Sequence, residues 1–151
     1  MKRFKIKVGT IKTVTDFLQV LVKLGLRWSA ERIIITAAFA DSMPKVEESI
    51  EFVCATSAEL GYSKGCTQEE IYEAGLVLGW KLCQASDGPE IIYHYRCPQS
   101  WNIAMEPIKD DEADLRIFIV KRDRRELYLM GASSSPGRFW PSDTCWVFRH
   151  V

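Results

Sequence analysis

The chain has 151 residues, of which 47% are hydrophobic and 26% are charged, and its formal net charge is zero. This balance excludes intrinsic disorder and predicts a soluble globular domain, long enough to bury a core without disulfides or metal ions. A net charge of zero gives no long-range attraction to nucleic acid or to an anionic membrane, and no apolar run approaches the ~20 residues of a membrane helix.

The N-terminal segment is predicted to form a strand followed by a helix. Residues 4–8 alternate between apolar residues and lysine, which is typical of a half-buried strand. Thr13 and Asp16 then form an approximate capping box, and apolar residues follow at helical spacing as far as Gly25. We therefore expect a helix between Thr13 and Gly25.

Two further helices are predicted before residue 58. Residues 29–43 contain alanines, which favour a helix, and a β-branched run, which favours a strand. We prefer the helix because no turn residue interrupts this segment, and the strand stays as the alternative. Pro44 then predicts the first turn of another helix, with apolar residues on one stripe as far as Ser57.

The clearest helix start lies in residues 66–83. Thr67 is the predicted N-cap, and Glu70 completes a capping box three residues later. Because apolar residues then fall on nearly every side, we expect this helix to be central and buried. Gly75 and Gly79 are four residues apart, and we interpret them as positions where another element packs closely.

The remainder of the chain is predicted to form strands. Residues 90–97 and 144–151 each fit a strand, and residues 114–121 and 126–133 fit the two strands of a hairpin. Helices followed by a run of strands predict the α+β class.

We therefore expect one domain over residues 1–151, with three or four helices on one face of a mainly antiparallel sheet of about four to five strands. Its parts would be a basic N-terminal strand, an acidic helical middle at 13–86 and antiparallel strands at 89–151.

Charge is distributed unevenly along the chain. The net charge is +6 over residues 1–28, −3 over 29–64, −6 over 65–112 and +3 over 113–151. If the terminal strands share one sheet, its edge and tips are basic while the helical side is acidic. Such a distribution suits an anionic partner on one side, or self-association between opposite faces.

The most basic segment is the predicted hairpin tip, which carries Lys121, Arg122, Arg124 and Arg125. We interpret it first as a solvated turn, since charges at a turn also discourage pairing between sheet edges. The four cations are at the same time candidate binding residues for an anionic partner. Nucleic acid is the weaker choice of partner, because aromatic residues on the flanking strands are expected to be packed and unavailable for base stacking.

A second candidate binding segment contains Arg138, Phe139 and Trp140, in a loop bounded by Pro136 and Pro141. Trp and Arg are the residues most enriched in interface hot spots, and the prolines would hold the loop rigid. The last strand could also offer a sheet edge to a second molecule. The alternative is that Phe139 and Trp140 fold back over the sheet as part of the core.

A catalytic alternative rests on the histidines, His94 and His150. Placed on adjacent strands, they could act as the acid and base of a ribonuclease-like phosphodiester reaction, with Arg96 and Arg149 stabilising the charged intermediate. No metal site or cofactor is predicted. The cysteine number is odd and no C-x-x-C pair occurs, which predicts reduced thiols and a cytoplasmic location. The cysteines are Cys54, Cys66, Cys83, Cys97 and Cys145.

The leading functional hypothesis is a non-catalytic protein-interaction module that binds another protein or a second copy of itself. It rests on the absence of a convergent acid, base or nucleophile set in the sequence and on the uneven charge. The nucleic-acid-binding or phosphodiester-cleaving protein is the alternative, and no membrane partner is expected.

Overall fold

A computed structural model describes residues 1–150 of the chain. The helices are α1 (Val14–Leu24), α2 (Trp28–Ile34), α3 (Ala37–Ser42), α4 (Gln68–Val77) and α5 (Asp87–His94). The strands are β1 (Lys2–Val8), β2 (Glu48–Thr56), β3 (Cys66–Thr67), β4 (Trp101–Ile103), β5 (Ile108–Lys109), β6 (Leu115–Asp123), β7 (Glu126–Ser133), β8 (Phe139–Trp140) and β9 (Cys145–Arg149). Within residues 1–150, no helix combines the length and the apolar character that crossing a membrane requires.

The main sheet has seven strands in the order β1-β2-β9-β4-β6-β5, with β7 paired to the other side of β6. Its neighbouring strands are antiparallel except β4 and β9, which are parallel. Strands β3 and β8 form a separate antiparallel pair. The α+β class is therefore confirmed, whereas the expected four to five mainly antiparallel strands are corrected to a larger, mixed sheet.

The predicted helix that begins at Pro44 is wrong, because most of that segment is strand β2. This strand lies between β1 and β9, and four consecutive residues, 52–55, are buried. A strand covered on both faces loses the alternation of apolar and polar residues that identifies a half-buried strand. The remaining apolar positions then fitted a helical spacing by chance.

The predicted strand at 90–97 is also wrong, because residues 87–94 form helix α5. Pro89 lies in its first turn, where proline is tolerated. The side chain of Asp87 accepts a hydrogen bond from the backbone N–H of Gln84 (2.8 Å) and thereby organises the start of the helix. Ile91 and Ile92 are both buried, so the β-branched pair packs in the core as part of a helix.

Helices cover both faces of the sheet, which corrects the expectation of one covered face. Residues paired in register share a face, as Phe118 and Gly131 do. The side of the sheet that carries Phe118 and Gly131 is here called the helical face. On this face, Phe39 of α3 packs against Phe118 with ring centroids 6.0 Å apart. On the opposite side, here called the α4 face, Tyr72 of α4 packs against Trp146 at 5.9 Å.

Helix α4 has the predicted start but not the predicted burial. Thr67 and Glu70 form the complete capping box. Ile71 and Gly75 pack inward, whereas the side chains of residues 76–78 are exposed. An apolar helix surface is therefore not by itself evidence of central burial.

We predict that Gly75→Ala destabilises the protein. Helix propensity alone favours alanine by about 1 kcal/mol, but a Cβ at this position would overlap the ring of Phe148. Overpacking of this kind typically costs about 1–3 kcal/mol. Urea denaturation measures the change in the free energy of unfolding. Gly137→Ala is the control, because a Cβ there would meet open space, and a stabilised Gly75→Ala variant would contradict the packing.

The acidic loop before β6 is organised around the buried carboxylate of Asp110. The carboxylate accepts hydrogen bonds from Arg116 Nε (2.6 Å) and from the backbone N–H groups of Glu112 (2.9 Å) and Asp114 (3.0 Å). Arg32 of α2 lies 3.6 Å from it. The Arg116 hydrogen bond, helped by the two backbone donors and by the charge of Arg32, lowers the pKa of Asp110 to about 2, although burial opposes the shift.

We predict that the stabilisation by Asp110 is lost in acid. The pKa of Asp110 is about 2 in the folded chain and about 3.9 when unfolded. Its contribution is therefore complete above about pH 5 and disappears as the pH falls towards about 2. Thermal melts of the chain and of Asp110→Asn should differ most in Tm near pH 7 and converge near pH 2. A Tm difference that is constant with pH would contradict this.

Candidate functional site

Strands β6 and β7 form the predicted hairpin, and its turn consists of Arg124 and Arg125 alone. The expected tip at residues 121–125 is therefore too long, because Lys121, Arg122 and Asp123 belong to β6 and pair with β7. Arg124 has a φ of 52°, in the left-handed region. Beside the hairpin lies a cavity of about 430 Å³, here called the hairpin cleft. Its lining residues are Leu24, Ile92, Tyr93, His94, Tyr95, Arg96, Arg122, Arg125 and Leu127.

The cleft is cationic with apolar walls. Arg122 and Arg125 come from the hairpin, whereas His94 and Arg96 come from the end of α5 and the residues after it. None of the described lining residues is acidic. An anion entering the cleft would therefore meet the guanidinium groups of Arg96, Arg122 and Arg125. The carboxylate of Glu90 is buried and does not line the cleft, but its Oε1 atom lies 3.9 Å from His94 Nε2.

Helix α5 is held in place at its N-terminal end by a buried ion pair. Arg149 of β9 donates two hydrogen bonds to Asp87, from Nε (2.7 Å) and from an Nη atom (2.8 Å). The Asp87 side chain is 0% exposed. Burial raises the pKa of Asp87, and the hydrogen bonds from Arg149 oppose that shift. Breaking such a pair would leave an uncompensated buried charge, so the pair fixes the helix against the sheet.

A second buried carboxylate, Glu90, holds the loop after β1 against the same helix. Glu90 accepts hydrogen bonds from Thr10 Oγ1 (3.0 Å) and from the backbone N–H of Ile11 (3.3 Å). The Nε2 atom of His94 lies 2.7 Å from Thr10 Oγ1. Thr10 thereby orients the imidazole, so the position of His94 in the cleft is fixed by hydrogen bonds.

The four residues of the catalytic alternative are not brought together. His94 and Arg96 both line the hairpin cleft. His150 and Arg149 line a different cavity, which shares no lining residue with the cleft. The Nδ1 atom of His150 lies 3.5 Å from Glu51, and the guanidinium of Arg149 is bound to Asp87. The histidines were expected on adjacent strands, but His94 lies on a helix.

Of the other predicted binding residues, Arg124 lines neither the hairpin cleft nor the second cavity. The remaining four line the second cavity, of about 610 Å³, on the α4 face. This second cavity is here called the sheet cavity, and its lining includes Lys121, Arg138, Phe139 and Trp140. The full lining is Ser100, Asn102, Ile119, Lys121, Met130, Gly131, Ala132, Ser133, Arg138, Phe139, Trp140, Pro141, Asp143, Thr144 and Cys145.

Trp140 itself is buried, in agreement with the core alternative for this residue. It is 6% exposed, and its ring makes an edge contact with Trp146 at 5.3 Å. The guanidinium of Arg138 stacks on its ring, 3.9 Å from the ring centroid. Phe139 is 61% exposed, so only the phenylalanine of the pair is available at the surface as an apolar contact.

Several lining residues were not predicted from the sequence. Tyr93 and Tyr95 were assigned to a strand, so their position at the cleft could not be inferred. Leu24 was treated only as a core position of α1, although it is 42% exposed. No sequence pattern marks Asn102, since a strand as short as β4 has too few residues to show a periodic alternation.

Within the described part of the chain, no three His, Cys, Asp or Glu side chains converge in a way that could hold a metal ion. Comparison of the chain with protein-family models, curated proteins and solved structures gives no significant match. The function must therefore be inferred from the geometry of the site, and the hairpin cleft and the sheet cavity hold most of the predicted binding residues.

We predict that Trp140→Ala and Phe139→Ala differ strongly in stability. Removing a buried tryptophan side chain typically costs about 3–5 kcal/mol, because transfer and cavity terms add. Phe139 is 61% exposed, so its removal should change the free energy of unfolding by less than about 1 kcal/mol. Equilibrium denaturation measures both values. Equal values for the two variants would contradict the burial of Trp140.

Proposed function

We propose that the chain is a non-catalytic protein-interaction module that binds an acidic segment of another protein in the hairpin cleft. One observation supports the proposal: Arg96, Arg122 and Arg125 line the same cavity, and its described lining contains no acidic residue. Charge-assisted hydrogen bonds from such groups to carboxylates are shorter and stronger than neutral ones.

The apolar walls favour a protein segment over a nucleic acid. Leu24 and Leu127 can contact apolar side chains of a peptide, but they offer no stacking surface for bases. Tyr95 is already packed against Trp101, with ring centroids 5.6 Å apart, which leaves Tyr93, at 45% exposure, as the more accessible ring. The net charge of zero also argues against a general affinity for polyanions.

The environment of His94 supports binding without catalysis. Its Nε2 atom contacts Thr10, and no second histidine lines the cleft within residues 1–150. A two-histidine phosphodiester reaction needs both groups within about 3 Å of the reacting atoms. The cytoplasmic location stays a prediction from the cysteine pattern. The choice between another protein and a second copy as the partner is tested by the binding experiments below.

The test uses a labelled peptide that alternates glutamate with leucine and phenylalanine, and fluorescence anisotropy as the readout. We expect this peptide to bind with a Kd in the micromolar range and to bind more weakly as salt is added. Replacing glutamate by lysine in the peptide should abolish binding. Arg125→Asn should weaken binding about 10-fold, because one charge-assisted hydrogen bond contributes about 1.5 kcal/mol or more.

Arg124→Asn is the matched control. It removes the same charge from the same turn, but Arg124 does not line the cleft, and asparagine tolerates its left-handed backbone. Equal loss of affinity in both variants would show nonspecific attraction and contradict the proposal. Tighter binding of oligothymidylate than of the acidic peptide would favour the nucleic-acid alternative. A homodimer that the peptide dissociates would identify a second copy as the partner.

A further inference from the structure

The sheet cavity on the α4 face contains a buried polar side chain that has no partner. Asn102 of β4 lies opposite Ile119 and Trp146 in register, so its side chain is on this face. It is 5% exposed, and its amide nitrogen has no hydrogen-bond partner within residues 1–150. A buried polar group left unsatisfied costs about 1–3 kcal/mol, so its position needs a reason.

A second unpartnered donor lies in the wall of the same cavity. The indole nitrogen of Trp140 is buried and has no acceptor among the described residues. The guanidinium of Arg138 donates one hydrogen bond to the backbone carbonyl of Ser133 (2.6 Å) and stacks on Trp140. That contact holds the Arg138 side chain beside the cavity and leaves its other N–H groups available.

The charge of the lining points to a singly charged anion. Lys121 and Arg138 are cationic and Asp143 is acidic, so the described lining has a net charge of +1. Within residues 1–150, neither Lys121 nor Arg138 forms an ion pair. A ligand with one negative charge would therefore balance the cavity.

The apolar part of the lining suits a flat ring. Ile119 and Met130 are paired neighbours in the sheet, and the exposed ring of Phe139 lines the same cavity. The volume of about 610 Å³ falls within the range of about 300–1,000 Å³ that is usual for small-molecule sites. Apolar walls with a few convergent polar groups are the usual composition of such sites.

We propose that the sheet cavity binds a small planar anion: a flat ring whose carbonyl or amide edge meets Asn102, with a negatively charged group that meets Lys121 and Arg138. The net charge of the lining favours a carboxylate over a doubly charged phosphate. This inference is independent of the proposed function, because the two cavities lie on opposite faces of β6 and share none of their described lining residues.

Four small molecules test which chemical group of the proposed ligand is required for binding. Orotate has the ring, the amide edge and a carboxylate; uracil lacks the carboxylate; benzoate lacks the amide edge; uridine monophosphate carries phosphate as its anion. Two-dimensional ¹H–¹⁵N NMR follows the side-chain signals of Asn102 and Trp140. We expect orotate to shift both signals and to bind at least about 10-fold more tightly than uracil or benzoate.

Substitutions test which side chains of the cavity contribute to orotate binding. Arg138→Gln and Lys121→Gln should each weaken orotate binding about 5- to 10-fold. Thermal melts of both variants check that the fold is retained, since Arg138 also contacts Trp140 and Ser133. Asn102→Leu should abolish the preference for orotate over benzoate. Lys45→Ala is the control, since Lys45 is exposed between α3 and β2.

Three outcomes would overturn the proposal: no probe shifts the two signals, uracil binds as tightly as orotate, or Lys45→Ala weakens binding as much as Arg138→Gln does. Tighter binding of uridine monophosphate than of orotate would contradict the inference of a singly charged ligand, because its phosphate carries nearly two negative charges. Because none of these measurements involves the hairpin cleft, their failure would leave the proposed peptide binding unaffected.

Discussion

The alternation of side chains along β6 is the constraint on which both cavities depend. This strand is paired on both sides, to β4 and β5 on one and to β7 on the other, so it cannot rotate or slip without breaking three ladders. Consecutive residues must point to opposite faces. Lys121 is therefore directed to the α4 face and Arg122 to the helical face, and one basic segment supplies cations to two separate cavities.

The second requirement is a fixed position for α5, and buried charges meet it. Asp87 binds Arg149 at the start of the helix, and Glu90 binds the loop after β1 one turn later. The end of the helix then brings His94 and Arg96 to the hairpin. On the other face, the short β3–β8 pair holds Trp140 over Trp146. Polar anchors thus position one cavity and aromatic packing positions the other.

Local signals were sufficient to predict the features that depend on local chemistry. The capping box at Thr67, the alternation in β1 and the existence of the β6–β7 hairpin were all predicted from neighbouring residues, although the turn is shorter than the expected 121–125. Strand β2 and helix α5 were misassigned because residues 52–55 of β2 and residues 87–92 of α5 are buried, which removes the periodic pattern on which assignment rests. The site residues contributed by α5 could not be placed as a consequence, and Asn102 depends on a three-residue strand that only tertiary pairing defines.

The central claim is that the two faces of β6 carry independent sites. The most direct measurement is a titration of the acidic peptide in the presence and absence of saturating orotate, followed by anisotropy and by the NMR signals of Asn102 and Trp140. We predict that the Kd of the peptide changes by less than about 2-fold, since the two ligands approach from opposite faces. Competition, seen as a Kd that rises in proportion to the orotate concentration, would mean that both ligands use the same cations and would contradict the claim.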